Sequence, residues 1–268
     1  MTEEKGLSVL RACQVARLSR AAYYRPGVCW AVRDAAVIGA INAALQESAR
    51  WGFWKCYDRI RNLGHLWNHK RVHRVYCAMK LNLPRRAKRR LPQRERQPLT
   101  VVARMNVVWA LDFMRDTLYG GRVFRTLNVI DEANRGALGI DIAVSIPAVR
   151  VIAFVEQLIE LYGRPGAIRC DNGPELTSEA FGAWCKTQDI ELRYIQPGKP
   201  DQNAYIERFN RTYREEVLNA YLFDSLSQVR EITEEWIDQY NEIRPHDALG
   251  SLPPARYRER LLAAETPV

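Results

Sequence analysis

Residues 107–144 read VVWALDFMRDTLYGGRVFRTLNVIDEANRGALGIDIAV, and this stretch decides the fold. Three runs rich in β-branched and aromatic residues are predicted strands, at 107–114, 123–130 and 137–144. The turn Tyr119-Gly120-Gly121 joins the first two runs as a hairpin. We therefore expect three consecutive antiparallel strands.

The chain beyond these strands alternates helices with short strands. The predicted elements are a helix at 147–162, a strand at 167–170, a helix at 178–188, a strand at 191–195 and a helix at 203–218. Strands joined by helical crossovers run parallel, so the order βββαβαβα predicts an α/β fold with a mixed five-stranded sheet and helices on both faces. Sites in such sheets gather beyond the carboxyl ends of the strands.

Positive charge is concentrated in the first part of the chain. Residues 1–99 contain 21 Lys+Arg and 6 Asp+Glu, a net charge of +15, whereas residues 100–268 contain 19 and 25, a net charge of −6. This asymmetry indicates an amino-terminal module that binds a polyanion, and nucleic acid is the expected one. No run approaches the roughly 20 apolar residues of a membrane span. We expect a cytoplasmic protein with no membrane partner.

The amino-terminal part is predicted to be a small all-α unit of helix-turn-helix type. Its helix at 69–81 places an apolar stripe on one face and leaves Lys70, Arg71 and Arg74 facing outward. A recognition helix shows this pattern, so the three side chains are candidate DNA contacts. A solvated helix face is the alternative interpretation.

We divide the chain into five segments. They are an amino-terminal helical segment (1–30), a helical DNA-binding domain (31–83), a basic linker (84–99), an α/β core (100–222) and a carboxyl-terminal helical extension (223–268). Seven basic residues and one glutamate lie between residues 84 and 96, so the linker is expected to be extended by its own repulsion. It either contacts phosphates or acts as a tether without a specific ligand.

Three acidic residues have settings that suit a metal-dependent phosphotransfer site. Asp112 interrupts an apolar strand, Asp171 ends a strand before Asn172-Gly173, and Glu207 lies on the polar stripe of the helix at 203–218. Carboxylate oxygens are the donors that Mg²⁺ prefers, and three carboxylates can hold two ions. Each acid alone could be a cap or a salt-bridge partner, but their joint placement favours a shared site.

Other residues near these positions have weaker assignments. Glu175 and Asp131 compete for the metal site and rank below Glu207, because the first is expected on a flanking loop and the second in a turn. Lys199 and Arg214 are candidate DNA contacts, although Lys199 can equally be a solvated loop residue.

The same residues carry a resemblance to a known family. Asp112, Asp171 and Glu207, with 35 residues between the last two, match the D,D-35-E pattern of the retroviral integrase core and of related bacterial transposases. The flanking motifs are WALD (109–112), DNGPE (171–175), NAYIERFN (203–210) and YNEIRPH (240–246). Together they resemble OrfB-type transposases of two-frame bacterial insertion sequences, over about residues 7–257.

The resemblance implies a fold, an activity and partners. It implies a ribonuclease-H-like core, Mg²⁺ or Mn²⁺ as cofactor with two ions when DNA is bound, cleavage at element ends and strand transfer by transesterification. The implied partners are terminal-repeat and target DNA, further copies of the chain on that DNA, and the product of an upstream reading frame, either separate or fused. The expected location is the bacterial cytoplasm, with the nucleoid. The alternatives are a DNA-binding regulator without catalysis and a ribonuclease-H-like nuclease that does not join strands.

Overall fold

The computed structural model describes residues 6–25, 29–83, 104–196 and 203–265. The predicted linker at 84–99 and the candidate DNA contact Lys199 lie outside the described residues.

A five-stranded mixed sheet forms the centre of the molecule, as predicted. Its strands are β1 (Val108–Thr117), β2 (Val123–Asp131), β3 (Ala137–Ala143), β4 (Ala167–Cys170) and β5 (Glu191–Tyr194). The spatial order is β3-β2-β1-β4-β5. The first three strands pair antiparallel, while β4 lies parallel to both β1 and β5. The predicted antiparallel hairpins and parallel crossovers are therefore both confirmed.

Helices cover both faces of this sheet. In chain order, the α-helices of the described residues are α1 (Val9–Val15), α2 (Arg20–Tyr24), α3 (Trp30–Arg33), α4 (Ala35–Glu47), α5 (Phe53–Asn62), α6 (His69–Ala78), α7 (Ala148–Tyr162), α8 (Glu179–Thr187), α9 (Ala204–Tyr213), α10 (Leu226–Glu242) and α11 (Pro254–Glu265). One face packs against α7 and α8 through a core that includes Trp109 and Leu111. The other face packs against α9 and α10 through a core that includes Ala110, Ile206 and Phe209.

The prediction of one continuous α-helix over 203–218 is wrong at its end. A π-helix, Arg214–Leu218, follows α9, and the Asn219 amide donates to the carbonyl of Arg214 at 2.8 Å. The wider turn accommodates one extra residue, so Val217 and Leu218 are both buried in the core while Arg214 lies at the surface side.

The amino-terminal helices α4, α5 and α6 enclose a core of their own. Ile41, Ile60 and Val72 are fully or almost fully buried in it. The Asn68 side chain accepts from the Lys70 amide at 2.8 Å and caps the start of α6. The helix ends at Ala78 rather than Leu81, because Lys80 adopts a left-handed backbone conformation with φ of 58°.

The amino-terminal unit contacts the segment that follows α10. The Lys55 ammonium donates to the carbonyl of Pro245 at 3.1 Å, and the Asn62 amide donates to the carbonyl of Ser251 at 2.8 Å. The Ser251 hydroxyl donates to Asp58 at 2.8 Å. Polar contacts therefore join this unit to the core. No helix among the residues described is long and apolar enough to cross a bilayer.

The buried hydrogen bond between Tyr213 and Thr233 gives a stability prediction. The two hydroxyls lie 2.7 Å apart and join the end of α9 to α10 inside the core. Tyr213→Phe leaves the Thr233 hydroxyl without its partner, which we expect to lower the free energy of unfolding by about 1–2 kcal/mol in urea titrations.

The double variant Tyr213→Phe/Thr233→Val removes both polar groups and keeps the shape, so it should recover most of that loss. A double variant that is as destabilised as the sum of the two single variants would show that the hydrogen bond is not the stabilising element.

Candidate active site

Asp112 lies in β1, and Asp171 directly follows the neighbouring parallel strand β4, on the same side of the sheet. The parallel register pairs Ala110 of β1 with Arg169 of β4. Two residues further along each strand, this register sets Asp112 opposite Asp171, where neighbouring strands are about 4.8 Å apart. Side chains alternate along a strand, so Asp112 shares its face with Ala110, the face that α9 covers. The two carboxylates therefore meet at one edge of the sheet.

Helix α9 brings Glu207 to the same edge. Ile206 and Phe209 anchor the helix in the core beneath it. One turn beyond Glu207, the Asn210 side-chain amide donates to Asp112 Oδ2 at 2.6 Å. Glu207 itself is exposed. The helix thus fixes its backbone against Asp112 and leaves the Glu207 carboxylate in contact with solvent.

The electrostatics of Asp112 connect all three acids. Burial, together with the negative charges of Asp171 and Glu207, raises the pKa of Asp112 to about 6, against hydrogen bonds from the Phe113 amide and Asn210. Two neighbouring negative charges destabilise a third, so the three carboxylates repel one another across a shared site. Asp171 and Glu207 therefore lie close enough to Asp112 for their charges to act on it.

No nearby cation relieves this repulsion among the residues described. Their ion pairs within 4.0 Å include none to Asp112, Asp171 or Glu207. The neighbouring arginines are occupied elsewhere, since Arg125 pairs with Glu175 and Arg214 pairs with Asp116. The edge of the sheet consequently carries uncompensated negative charge.

A buried amide network that sequence reasoning missed holds Asp112 in place. Asn128 lies opposite Asp112 in the β1–β2 register and is fully buried. Its amide donates to Asn210 Oδ1 at 2.6 Å, and Asn210 in turn donates to Asp112. The signal in the sequence was an asparagine inside the apolar run 127–130, but only the register shows which partner it has.

The competing acids have structural partners, as the sequence analysis ranked them. Asp131 accepts from the amides of Asn106 and Ala133, both at 2.8 Å, and so closes the turn after β2. Glu175 lies on the loop after Asp171, and its ion pair with Arg125 lowers its pKa.

The turn after β4 holds the backbone of Asp171. Asp171 Oδ1 accepts from the Gly173 amide at 3.0 Å. A Cβ atom at Gly173 would lie 3.0 Å from the same oxygen, so a side chain there would press against the carboxylate. Glycine at this position therefore leaves Asp171 room at the site.

The donor set fits a hard divalent cation, although the acids are not already gathered round one point. No group of three His, Cys, Asp or Glu side chains in the described part of the chain is assembled as a ready metal cluster. The three carboxylates are all oxygen donors with unbalanced charge, and a divalent cation would relieve the repulsion that raises the pKa of Asp112. The exposed Glu207 side chain can rotate towards the other two.

The candidate DNA contacts differ in whether the protein already pairs their charge. Lys70 is exposed on α6. Arg71 and Arg74 instead reach Asp34, a residue that is 2% exposed, at 3.0 and 2.5 Å. Arg214 donates to Asp116 at 3.1 Å and to the Arg115 carbonyl at 2.9 Å. Part of the charge predicted to face outward is therefore neutralised within the protein.

Comparison with known families matches both parts of the chain. Models described as integrase core domain match residues 102–200 and 188–254, and a model described as HTH-like domain matches residues 32–89. The structure is also similar to a chain of the simian T-cell lymphotropic virus intasome in complex with the PP2A regulatory subunit B56 gamma. That likeness has a TM-score of 0.53 at 15% identity, and covers 83% of this chain and 74% of the other. The expected ribonuclease-H-like fold class is confirmed.

Two relatives are similar over nearly the whole chain. The insertion element IS476 39.2 kDa protein of Xanthomonas euvesicatoria is 38% identical over 96% of this chain and 74% of its own length. The insertion element IS407 31.7 kDa protein of Burkholderia multivorans is 34% identical over 95% of this chain and 92% of its own length. With its integrase core and HTH-like domain, the chain belongs to the OrfB-type transposases of two-frame bacterial insertion sequences.

Proposed function

We propose that Asp112, Asp171 and Glu207 form the catalytic site for cleavage at the element ends and for strand transfer. The observation that carries this proposal is that Asn210, one turn beyond Glu207 on α9, donates to Asp112 at 2.6 Å, while the charges of Asp171 and Glu207 act on the same carboxylate. A protein stabilises such a cluster of repelling carboxylates when a cation or a reacting group will use it. In this reaction a 3′-hydroxyl attacks a phosphodiester, one P–O bond forms, and another breaks to release a new 3′-hydroxyl.

The three carboxylates would hold Mg²⁺ or Mn²⁺, two ions when DNA is bound. Such ions activate the attacking oxygen and stabilise the leaving oxygen of an in-line displacement. Other features of the protein would position these three carboxylates. Asn210 fixes one oxygen of Asp112, Gly173 leaves space at Asp171, and the exposed Glu207 closes on the site from α9.

We further propose that the α4–α6 unit recognises the terminal repeats. Lys70 is an exposed cation without an ion pair within the described residues, and Arg71 and Arg74 contribute where DNA competes with Asp34 for their guanidinium groups. Arg214 and Lys199 are proposed backbone contacts beside the core. The active species would be a homo-oligomer on DNA, alone or with the upstream reading-frame product. It would work in the cytoplasm, where the bacterial nucleoid lies.

A labelled duplex that carries the terminal repeats tests this function, with Mg²⁺ present. Joined products support the transposase, cut ends without joining favour a nuclease, and binding alone favours a regulator. Asp112→Asn should abolish cleavage and joining, by about 10³-fold or more, and leave DNA binding unchanged, because it removes a charged ligand from the site.

Asp141→Asn is the matched control, since it removes an aspartate whose partner is Arg150 on the far edge of the sheet. It should keep full activity. Retained activity in Asp112→Asn would refute the catalytic assignment of that residue.

The same substitution has an expected effect on stability. Asp112 ionises against burial and two like charges, so its raised pKa means that the ionised form costs folding free energy at neutral pH. A neutral asparagine removes this cost, and Asp112→Asn should therefore raise the free energy of unfolding at pH 7, without metal, by up to about 2 kcal/mol.

Urea titration of the metal-free chain measures this change. If Asp112→Asn were instead less stable by more than 1 kcal/mol, Asp112 would have to be a structural hydrogen-bond acceptor rather than a strained site residue.

Asn210 is proposed as a positioning residue that acts through Asp112. Asn210→Ala removes the amide that orients Asp112 Oδ2, and we expect a loss of about 10- to 100-fold in cleavage rate and a higher Mg²⁺ concentration for half-maximal activity.

Asn219→Ala changes an exposed asparagine just beyond the π-helix and is the control for a purely local effect on this segment. A slow Asn210→Ala enzyme with an unchanged Mg²⁺ requirement would argue against positioning of a metal ligand.

A further inference from the structure

A cleft of about 530 Å³ separates the amino-terminal unit from α9. One wall is the start of α5 with the residues just before it, and the other is α9 with the π-helix. The lining residues are Arg50, Trp51, Gly52, Phe53, Trp54, Lys55, Arg208, Arg211, Thr212, Glu215, Glu216 and Arg244. Both domains therefore contribute cations to a single depression.

Glu216, one of the two acidic residues of the cleft, is already engaged with neighbours. Glu216 forms an ion pair with Arg244 and accepts from the Trp236 indole at 3.0 Å. Arg50 donates to the backbone carbonyl of Glu215. These contacts use Arg50 and Arg244 for internal structure, and they leave the remaining cations of the cleft to be considered separately.

Arg208 and Arg211 are exposed and form no ion pair within the described ranges. Lys55 donates to the uncharged carbonyl of Pro245 and has no ion pair within 4.0 Å in the described part of the chain, although the charges of Asp247 and Glu216 act on it. A cluster of unpaired cations in a concave surface attracts an anion more strongly than the same charges on a convex one. The cleft therefore carries an excess of cations over its two acids, Glu215 and Glu216, and it attracts anions.

The charges in and behind the cleft repel one another. Burial, with smaller effects of Arg244 and Arg208, lowers the pKa of Lys55 to about 8, against the opposing charges of Asp247 and Glu216. Behind Lys55, burial lowers the pKa of His246 to about 3, with added effects of Arg244, Lys55 and Arg208. The Nε2 atom of His246 is buried and has no hydrogen-bond partner among the described residues. A bound anion would offset the repulsion among Lys55, Arg208 and Arg244.

The cleft adjoins the candidate active site through α9. At about 100° per residue, Arg208 and Arg211 lie roughly 100° and 40° round the helix from Glu207, on one side. Asn210, which holds Asp112, lies roughly 60° round on the other side. A chain of phosphates that crosses α9 from the cleft would therefore reach Glu207 and then Asp112.

An exposed aromatic ring at the cleft favours nucleic acid over a small anion. The side chain of Trp54, in the first turn of α5, is 61% exposed, whereas tryptophan side chains are highly buried on average. Flat aromatic rings beside cations are the surfaces on which sugars and unpaired bases pack in nucleic-acid grooves.

We propose that this cleft binds the phosphodiester backbone of the DNA strand whose end enters the active site, with Arg208 and Arg211 as its principal phosphate contacts. The inference rests on the proposed function, and it adds a second grip on the same DNA, between the HTH-like domain and the catalytic helix. Recognition and catalysis would then be coupled, because one strand is held by both domains at once.

The test is the affinity of the full chain for a terminal-repeat duplex, without metal, at a series of salt concentrations. Arg208→Ala/Arg211→Ala should weaken binding about 10- to 100-fold and reduce the slope of log affinity against log salt by roughly 1.5–2, as two lost phosphate contacts require. Arg208→Lys/Arg211→Lys keeps the charges and should recover most of the slope.

Lys186→Ala/Arg260→Ala is the matched control. It removes two exposed cations that do not line the cleft, Lys186 in the last turn of α8 and Arg260 in α11. This variant should keep the native affinity and salt slope. An Arg208→Ala/Arg211→Ala chain that matches this control in both quantities would overturn the cleft assignment.

The two levels of proposal fail separately. If the native chain joins strands and Arg208→Ala/Arg211→Ala binds normally, only the cleft assignment is refuted. If Arg208→Ala/Arg211→Ala loses affinity as expected and the native chain neither cuts nor joins the duplex, the proposed reaction is refuted while the cleft stands.

Discussion

The parallel pairing of β1 with β4 is the constraint on which the candidate site depends. Because Ala110 pairs with Arg169, the two aspartates two residues further on share one face and one edge of the sheet. A shift of one residue in this register would turn one of them to the opposite face. Burial of Trp109 and Leu111 on one side and Ala110 on the other makes such a shift costly. Packing of the hydrophobic core therefore fixes the positions of Asp112 and Asp171, although their negative charges repel each other.

Helix α9 connects this constraint to the rest of the molecule. Its apolar side anchors it beneath the sheet, its amide Asn210 holds Asp112, and its exposed Glu207 completes the acidic group. The flank beyond Glu207 carries Arg208 and Arg211 towards the amino-terminal unit. Helix α9 thus presents the Glu207 carboxylate to the sheet and the cations Arg208 and Arg211 to the amino-terminal unit. This division suits a protein that must hold a polyanion beside a site made of carboxylates.

The strands and helices could be predicted because each has a strong local signal. Alternating apolar runs, the Gly120-Gly121 turn and caps such as Asn68 are all properties of short segments. The π-helix after α9 could not be predicted, because the residues 203–218 keep a helical spacing and the extra residue is imposed by packing of Leu218. Local pattern decides the element, and tertiary contacts decide its end.

The site followed the same rule. The three acids of the proposed site were named from their settings and motifs, whereas the hydrogen bonds from Asn128 to Asn210 and from Asn210 to Asp112 depend on register and on how α9 crosses the sheet. The prediction that Arg71 and Arg74 face outward also overlooked their ion pairs with Asp34, because Asp34 lies far from them in sequence. A charge count cannot show which charges are paired.

The central claim is that the three carboxylates share a divalent cation. Crystals of the full chain soaked in Mn²⁺, measured for anomalous scattering, test it most directly. The account predicts a peak within coordination distance of both Asp112 and Asp171, with Glu207 turned towards it. Peaks confined to other carboxylates, or an empty site with Asp171 or Glu207 directed away from Asp112, would contradict the account.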